Sequence, residues 1–518
     1  MKSALLLGTI ALSLGAASAP PVKVDLLIRG GTIYTGTMAP FVGDVAIRGD
    51  KIISVSRRAN VTATRVIDAK GMIVAPGFID PHTHMGADLA SKDPAERLVP
   101  AFLMQGVTTA FIGNDGGGDT DVAKVLGSAK TKPVGINYAA YIGFGAIRGQ
   151  VVGEADRAPT AAEMAKMKTL VADAMCNGAL GLSTGLFYAP QSFAKTEEVI
   201  ELAREAGKRG GTYDSHIRDE SSYNVGLAAA IDEAIRIGRE GKLPAHISHI
   251  KALGVDVQGQ AGAIIAKIEA ARKTGQKVTA DQYPWSASGT SLVASLMPLW
   301  AQDGGRPALL KRFADASLDK KLRDGIVENM RKRGGPEKLL IVEGRYLNKT
   351  LAAVAKERGE DPVTAAIETI KIGDPGVVSF NQSEADIKTF MARPWVMTGS
   401  DASGGHPRVY GSFARKYAYY VKDQKALTLG QFIYRSSTLT ADTFGLTGRG
   451  RLTAGSFADL VVFDPKTYAS QATYESPKLL ASGVRSVLVN GVLAVDKGKM
   501  TGKAAGRALP HKPTGNCR

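Results

Sequence analysis

The sequence predicts an α/β protein in which a TIM-like (β/α)8 barrel is joined to a small β-sandwich built from both chain ends. Three observations favour this architecture. Short apolar runs alternate with helix-like segments through the middle of the chain, as in a parallel barrel. Both ends instead carry short alternating strands with turn residues between them. Four of the seven histidines follow directly after apolar runs, at the end of a barrel where functional side chains converge.

The length of the chain indicates more than one domain. Its 518 residues exceed the ~250–300 residues that one hydrophobic core usually serves, so a large and a smaller domain are expected. One sandwich made from the two ends explains both sets of alternating strands. The predicted boundaries are a signal segment at 1–19, sandwich strands at 20–75 and 451–508, a barrel at 76–450 and a tail at 509–518.

Eight apolar runs qualify as barrel strands, and helical stretches such as 161–176 and 225–239 separate most of them. In chain order the runs are GFIDPH, GVTTAFIG, PVGINYAAYIG, ALGLSTG, GTYDSHI, PAHISHI, KVTADQYP and WVMTGSD. The stretch between the last two runs is longer than a single βα connection. We therefore predict an insertion at about 287–393, placed over the barrel mouth as a lid.

Composition excludes several classes of protein. A hydrophobic content of 44% with 59 glycines fits a globular α/β enzyme and argues against a disordered or fibrous chain. The formal charge is +16, yet lysine and arginine are scattered, without the dense basic runs of nucleic-acid-binding proteins. Only Cys176 and Cys517 are present, so we expect no disulfide framework and assign Cys176 to buried packing. Metal binding must then rest on His, Asp and Glu.

The chain begins with MKSALLLGTIALSLGAASA, which has the layout of a cleavable secretory signal. Elsewhere no apolar run of ~20 residues long enough to span a bilayer is present. The sequence predicts an exported protein, periplasmic and without a membrane anchor.

The run Pro-Gly-Phe-Ile-Asp-Pro-His-Thr-His is the most informative segment, because His82 and His84 stand two residues apart at the end of a strand. Residues at this spacing point to the same side of a strand, so both imidazoles can bind one metal ion. Polar residues also follow the second, fifth, sixth and eighth runs, at positions Asp115, His216, His249 and Asp401. His246 is expected to be a hydrogen-bonded core histidine, and His406 to lie in a loop beside the site.

The chain resembles the N-acyl-D-amino-acid deacylase (D-aminoacylase) family of the amidohydrolase superfamily. The matching segments are GVTTAFIGN, HIRDE, HISHIKALG, TADQYPW, GSDASGGHPRVYGSFAR and GRGRLTAGSFADLVVFDP, which with the His-x-His strand extend over about residues 24–508. The resemblance implies a metal-dependent hydrolase barrel with zinc as its cofactor. It implies His82, His84, His216 and His249 as zinc ligands, Asp401 as the catalytic base and acid, and Lys251, Tyr283 and Arg408 as the groups that bind the substrate carboxylate.

One departure from the family concerns Asp115, which stands where the family usually has a cysteine. A carboxylate is also anionic and also binds divalent cations, so we predict Asp115 as a metal ligand. The alternative is that Asp115 only caps the glycine turn that follows it. For Lys251 and Arg408 the alternative is a solvated surface charge, and for Tyr283 it is packing in the cavity wall.

The sequence therefore predicts a zinc-dependent hydrolase of N-acyl-D-amino acids or of D-terminated dipeptides, with a small substrate that carries a free carboxylate. A cyclic-amide hydrolase of the dihydroorotase or hydantoinase type is the second hypothesis, although the fourth strand offers no lysine to carry a carbamate. A deaminase and a non-catalytic envelope binding protein remain further alternatives. The sequence leaves the oligomeric state and the number of metal ions open.

Overall fold

The computed structural model describes residues 20–517, so the predicted signal segment 1–19 lies outside the described residues. The chain enters the fold through five strands of a β domain. These are β1 (Val22–Ile33), β2 (Phe41–Arg48), β3 (Lys51–Ser56), β4 (Val61–Asp68) and β5 (Ile73–Pro76). Strand β1 pairs antiparallel with β2 and parallel with β4 and β5. A β-branched core that includes Ile28, Val45 and Ile52 fills one face of this domain.

The barrel follows directly. Its first seven strands are β6 (Phe78–Asp80), β7 (Val107–Ile112), β8 with β9 (Asn137–Ala140 and Ile142–Gly143), β10 (Gly181–Gly185), β11 (Thr212–His216), β12 (Ala245–Ile247) and β13 (Val278–Gln282). Successive strands pair in parallel, and every residue of β7, β10 and β11 is buried. Nearly continuous burial is typical of parallel strands covered on both faces.

Helices cover the outside of these strands. They are α1 (Gly86–Ala90), α2 (Pro94–Arg97), α3 (Pro100–Leu103), α4 (Val122–Gly127), α5 (Phe144–Val151), α6 (Ala161–Cys176), α7 (Thr196–Gly207), α8 (Leu227–Gly241) and α9 (Ala261–Lys273). In α8 the buried residues include Leu227, Ala230, Ile231, Ala234 and Ile235, a spacing of three and four that forms one apolar stripe. Helix α6 begins with a capping box between Thr160 and Glu163, which satisfies backbone N–H groups that the helix leaves free.

The predicted insertion is a small domain of its own. A three-stranded antiparallel sheet is formed by β14 (Ala287–Ser291), β15 (Leu339–Ile341) and β16 (Gly376–Phe380) in the order β14-β16-β15. Five helices accompany it: α10 (Leu292–Leu296), α11 (Gly305–Phe313), α12 (Asp319–Lys332), α13 (Leu351–Arg358) and α14 (Pro362–Ile372). Their apolar side chains form a core of the insertion that is separate from the core of the barrel. This insertion core includes Leu296, Ile326 and Ile370.

The chain then returns to close the barrel. Helix α15 (Glu384–Met391) packs against α9, and β17 (Val396–Thr398) pairs in parallel with β13. A parallel bridge between Thr83 and Ala402 joins the eighth strand to the first, and Asp401 N donates to His82 O at 3.0 Å. The predicted eight-stranded α/β barrel is therefore confirmed.

The remaining elements complete both domains. Three α-helices and one π-helix follow the barrel: α16 (Arg408–Arg415), the π-helix Lys416–Asp423, α17 (Leu429–Ser436) and α18 (Thr438–Thr443). Strands β18 (Leu460–Phe463), β19 (Val484–Val489), β20 (Val492–Asp496) and β21 (Lys499–Met500) then join the N-terminal strands, with β18 antiparallel to β5. The β domain is thus built from both chain ends, as predicted, and its nine strands form one hydrogen-bonded sheet. Within residues 20–517, no helix has both the length and the apolar character needed to cross a bilayer.

One expectation from the sequence is wrong. Cys176, assigned to packing, forms a disulfide with Cys517, 341 residues further along the chain. The C-terminal tail makes this pairing possible because it runs back along the barrel. Leu509 N donates to Tyr138 O, His511 N to Gly178 O and Thr514 N to Arg209 O, which carries Cys517 to the C-terminal end of α6.

This disulfide is expected to stabilise the fold by about 2–4 kcal/mol, because it restricts an unfolded loop of several hundred residues. Reduction of the native protein, or the double substitution Cys176→Ser and Cys517→Ser, should lower the melting temperature by a few degrees. The double variant is its own control, because the reductant should leave its melting temperature unchanged. Two free thiols titrated in the unreduced, purified protein would contradict the pairing.

Candidate active site

Four imidazoles surround the carboxylate of Asp115 at the C-terminal face of the barrel. Asp115 Oδ1 lies 3.4 Å from His82 Nε2 and 3.5 Å from His249 Nε2. Asp115 Oδ2 lies 3.4 Å from His84 Nε2 and 3.5 Å from His216 Nδ1. The two carboxylate oxygens therefore divide the histidines into two pairs.

The donor atoms fit divalent cations. Two groups of side chains could each hold a metal ion, because the ligand atoms within each group all lie within 4.8 Å of one another. Asp115 belongs to both groups. The first group also contains His82, His84 and Asp401, and the second also contains His216 and His249. In the part of the chain that the structure describes, His82 Nε2 and Asp115 Oδ1 are buried without any hydrogen-bond partner. Buried polar atoms are otherwise almost always satisfied, and imidazole and carboxylate are ordinary zinc ligands. The residues thus could hold one divalent ion or two, with Asp115 a potential ligand in either group.

Backbone geometry shows how the strands position these groups. Asp115, His249 and Asp401 each follow a barrel strand with a positive φ, of 55°, 35° and 50° respectively. Non-glycine residues rarely adopt this left-handed region, and its cost is tolerated where the surrounding structure imposes it. In each case the turn at the end of the strand directs the side chain towards the centre of the barrel mouth.

Asp401 lies between the histidines and a buried arginine. Asp401 Oδ1 is 3.2 Å from His84 Nε2 and 3.6 Å from His82 Nε2, while Oδ2 is 2.7 Å from Arg408 Nη1. Burial raises the pKa of Asp401, but the positive charge of Arg408 and that of the histidines outweigh it and hold this pKa well below its usual range. Asp401 is therefore ionised at neutral pH.

Sequence reasoning assigned no role to Glu220, which the structure places against the predicted ligands. Glu220 Oε1 is 3.0 Å from His249 Nδ1 and 2.5 Å from Lys251 Nζ. Burial and Lys251 lower the pKa of His249, yet the carboxylates of Asp401, Glu220 and Asp115 raise it to about 10. A carboxylate behind a metal-binding imidazole fixes the orientation of the ring and raises its basicity. The signal was the position of Glu220 four residues after His216, in the segment HIRDE.

The three predicted carboxylate-binding residues come together at the ring of Tyr283. Arg408 lies over this ring at 4.9 Å from its centroid, and Lys251 Nζ lies at 5.7 Å. The Tyr283 hydroxyl accepts a hydrogen bond from Gln382 Nε2 at 2.8 Å. Lys251 and Arg408 are buried, with 4% and 1% of their surface exposed, so neither is a solvated surface charge.

The other two histidines of the barrel take structural positions. His246 is buried and hydrogen-bonds Thr279 Oγ1 at 2.8 Å and Asp281 Oδ2 at 3.0 Å, as a core histidine should. His406 accepts a hydrogen bond from Arg408 N at 3.1 Å and donates to Ala287 O. It therefore fixes the start of the helix that carries Arg408.

A cavity of about 460 Å³ covers this cluster. On one side it is lined by Asp115 and three of the predicted histidine ligands, together with Lys251, Tyr283 and Arg408, and on the other by the insertion, including Arg333, Val342 and Val377. The three histidines are His84, His216 and His249. The insertion therefore forms a wall of the site. The volume is suitable for a small organic substrate.

Glu220→Gln is expected to weaken zinc binding about 10- to 100-fold, the usual effect of losing a partner behind a metal-binding histidine. The measurement is zinc affinity by competition with a chromogenic chelator. Glu328→Gln, on the exposed face of α12, removes a glutamate remote from the site and is the matched control. Equal zinc affinity in the Glu220 variant and the parent would contradict the assigned role.

The fold and the site together define a metal-dependent hydrolase of the barrel type. Comparison with known proteins agrees. A model of the amidohydrolase family matches residues 65–495. The D-aminoacylase of Alcaligenes xylosoxydans xylosoxydans is 35% identical over 515 residues, which cover 94% of this chain and 97% of that protein.

Solved structures give the same result. A crystal structure of D-aminoacylase superposes with a TM-score of 0.82 at 32% identity, covering 94% of this chain and all of that one. The N-acyl-D-glutamate deacylase from Bordetella bronchiseptica, in complex with zinc and a phosphonate inhibitor, superposes with a TM-score of 0.81 at 30% identity and the same coverage. The chain belongs to the amidohydrolase family, and the predicted resemblance to its N-acyl-D-amino-acid deacylases is confirmed.

Proposed function

We propose that this protein hydrolyses the linear amide of N-acyl-D-amino acids, releasing a carboxylic acid and the free D-amino acid. The observation that carries the proposal is the cavity itself, where cations around Tyr283 face the cluster of histidines and carboxylates. Such a cavity can hold a substrate by its carboxylate while its amide lies against the metal ligands. The relatives named above act on substrates of this class by their names, which supports the same chemistry here.

We propose zinc as the cofactor, held by His82, His84, His216, His249 and Asp115. The zinc in the Bordetella bronchiseptica deacylase supports this choice, as does the nitrogen-rich ligand set. A bound divalent cation would lower the pKa of a water molecule and polarise the amide carbonyl.

Asp401 is suited to move the proton. Its carboxylate is ionised and lies within 3.6 Å of two of the histidines, so it can accept a proton from the attacking water as a general base. The protonated side chain can then donate this proton to the leaving amine. Arg408, which contacts Asp401 Oδ2, fixes the orientation of the carboxylate between the two steps.

Arg408, Lys251 and Tyr283 orient the substrate. Arg408 uses Nη1 for Asp401 and Nη2 for Ser403 Oγ, and its Nε is buried without a partner among the described residues. A guanidinium can bind a carboxylate in a planar, two-point geometry, which fixes direction as well as charge. The amide is thereby presented to the metal ligands in one orientation.

Hydrolysis of cyclic amides fits the site less well. Relatives of that type commonly bridge two metal ions with a carbamylated lysine on the fourth barrel strand. Strand β10 has the sequence GLSTG and offers no lysine, while the carboxylate of Asp115 occupies the centre between the histidines. A linear amide is therefore the better substrate hypothesis.

We further propose that the protein is exported to the periplasm. The N-terminal segment with the layout of a cleavable signal supports this. The disulfide between Cys176 and Cys517 supports it as well, since structural disulfides persist in oxidising compartments.

Asp401→Asn is expected to keep zinc bound while turnover falls at least 100-fold, because the amide cannot accept the proton. Zinc content by elemental analysis and kcat measured on the same sample check both parts. Asp442→Asn, at an exposed ion pair with Arg451, is the control and should change neither quantity. Turnover retained by a zinc-replete Asp401 variant would overturn the role of this residue.

The experiment that tests the proposed function compares amine release from matched N-acetyl-D- and N-acetyl-L-amino acids by the zinc-loaded protein. We expect hydrolysis in the D series, because the relatives are named for D substrates. Hydrolysis confined to the L series, or none in either series by a zinc-replete protein, would refute the proposal.

A further inference from the structure

The wall that the insertion contributes to the cavity contains a buried arginine with no acidic partner. Arg333 follows the last residue of α12, lines the cavity and has only 2% of its surface exposed. Arg333 Nε donates to Ser295 O at 3.2 Å, and Nη1 donates to Ser379 Oγ at 3.1 Å. Both acceptors are uncharged, and no carboxylate of residues 20–517 lies within 4.0 Å of this guanidinium.

Arg333 differs in this respect from the other cations of the cavity. Lys251 is paired with Glu220, and Arg408 is paired with Asp401. Burying a charge without a counter-charge is strongly unfavourable. Glu343 also lines the cavity, but its Oε1 accepts a hydrogen bond from Gly376 N at 2.6 Å. The unpaired charge of Arg333 therefore faces a space that a ligand enters.

A purely structural role for Arg333 explains only part of its surroundings. Its bonds to Ser295 and Ser379 connect α10 with β16 inside the insertion, and its guanidinium lies 5.6 Å from the ring centroid of Tyr223. A neutral donor can supply such bonds without the cost of burying a charge. Because this charge lines the cavity, an anion that enters beside it would offset the cost of its burial.

We propose that Arg333 binds a second carboxylate of the substrate, so that the enzyme prefers N-acyl-D-amino acids with two negative charges. This proposal rests on the proposed function and adds to it the preferred class of substrate, the dianionic N-acyl-D-amino acids. The α-carboxylate would occupy the site at Tyr283, and the second carboxylate would extend across the cavity to the insertion. The second carboxylate belongs either to an acidic side chain, as in glutamate, or to a dicarboxylic acyl group, as in succinyl.

Two substrate pairs distinguish these sources. The change from N-acetyl-D-glutamate to N-acetyl-D-glutamine replaces the side-chain carboxylate by a neutral amide of the same shape. The change from N-succinyl-D-alanine to N-succinamoyl-D-alanine does the same in the acyl group. Because charged hydrogen bonds of this kind are worth about 10- to 100-fold, the parent enzyme should favour the dianionic member of one pair by that ratio in kcat/KM. The favoured pair identifies the source.

Arg333→Met keeps the length of the side chain and removes its charge. Arg333→Met should abolish the preference for the dianionic substrate, while kcat/KM for the substrate without the second charge should change less than about threefold. Arg333→Lys keeps the positive charge and should retain part of the preference. Arg331→Met, two residues earlier in the last turn of α12 but paired with Asp256 outside the cavity, is the control and should leave the preference intact. Equal losses for both members of a pair, or no preference in the parent, would overturn the proposal.

Binding of glutarate, followed by thermal shift and calorimetry, tests Arg333 without turnover. The parent should bind this dicarboxylate at least about tenfold more tightly than the Arg333→Met variant. If no N-acyl-D-amino acid is hydrolysed but this difference is found, the proposed function fails and the anion site stands. Equal glutarate affinity refutes the anion site whatever the outcome for hydrolysis.

Discussion

The site depends on the carboxylate of Asp115, which lies within 3.5 Å of all four imidazoles. The ring centroids of His82 and His249 are 4.7 Å apart, and His216 Nδ1 is 2.9 Å from His249 Nε2. Imidazoles this close would repel one another as soon as more than one carried a proton. Asp115 offers one oxygen to each pair of histidines, and together with Asp401 it offsets the effect of burial and raises the pKa of His84 to about 9. The same charges that favour a proton at this position favour a divalent cation.

A carboxylate in this position has consequences that a cysteine would not have. A thiolate would offer one soft sulfur atom to a metal ion, whereas a carboxylate would offer two hard oxygen atoms. The left-handed backbone of Asp115 and the bond from Gly116 N to Ser183 Oγ hold the group at the level of the histidines. Asp115 thus does more than cap the glycine turn, because its side chain points into the cluster rather than back to the loop.

The sequence was most informative where local pattern and function coincide. Parallel strands buried on both faces are visible in the sequence as short apolar runs, and the turns that end these strands carry the polar residues. The eight strands and the histidine cluster could therefore be predicted from the same pattern. The disulfide was not accessible to this reasoning, because a separation of 341 residues is bridged only by the path of the tail. Glu220 stands four residues after His216 in the segment HIRDE, but its role was missed because only the fold brings it to within 3.0 Å of His249.

The charges of the cavity also constrain how a substrate enters. Each of the two cations beside Tyr283 is already paired, Lys251 with Glu220 and Arg408 with Asp401. Arg408 keeps a donor for a substrate carboxylate, because its Nε is buried without a partner among the described residues. The substrate carboxylate can therefore bind Arg408 while Nη1 still contacts Asp401 Oδ2. One guanidinium thus positions the substrate and the general base together, and a neutral amide without a carboxylate would lose this shared contact.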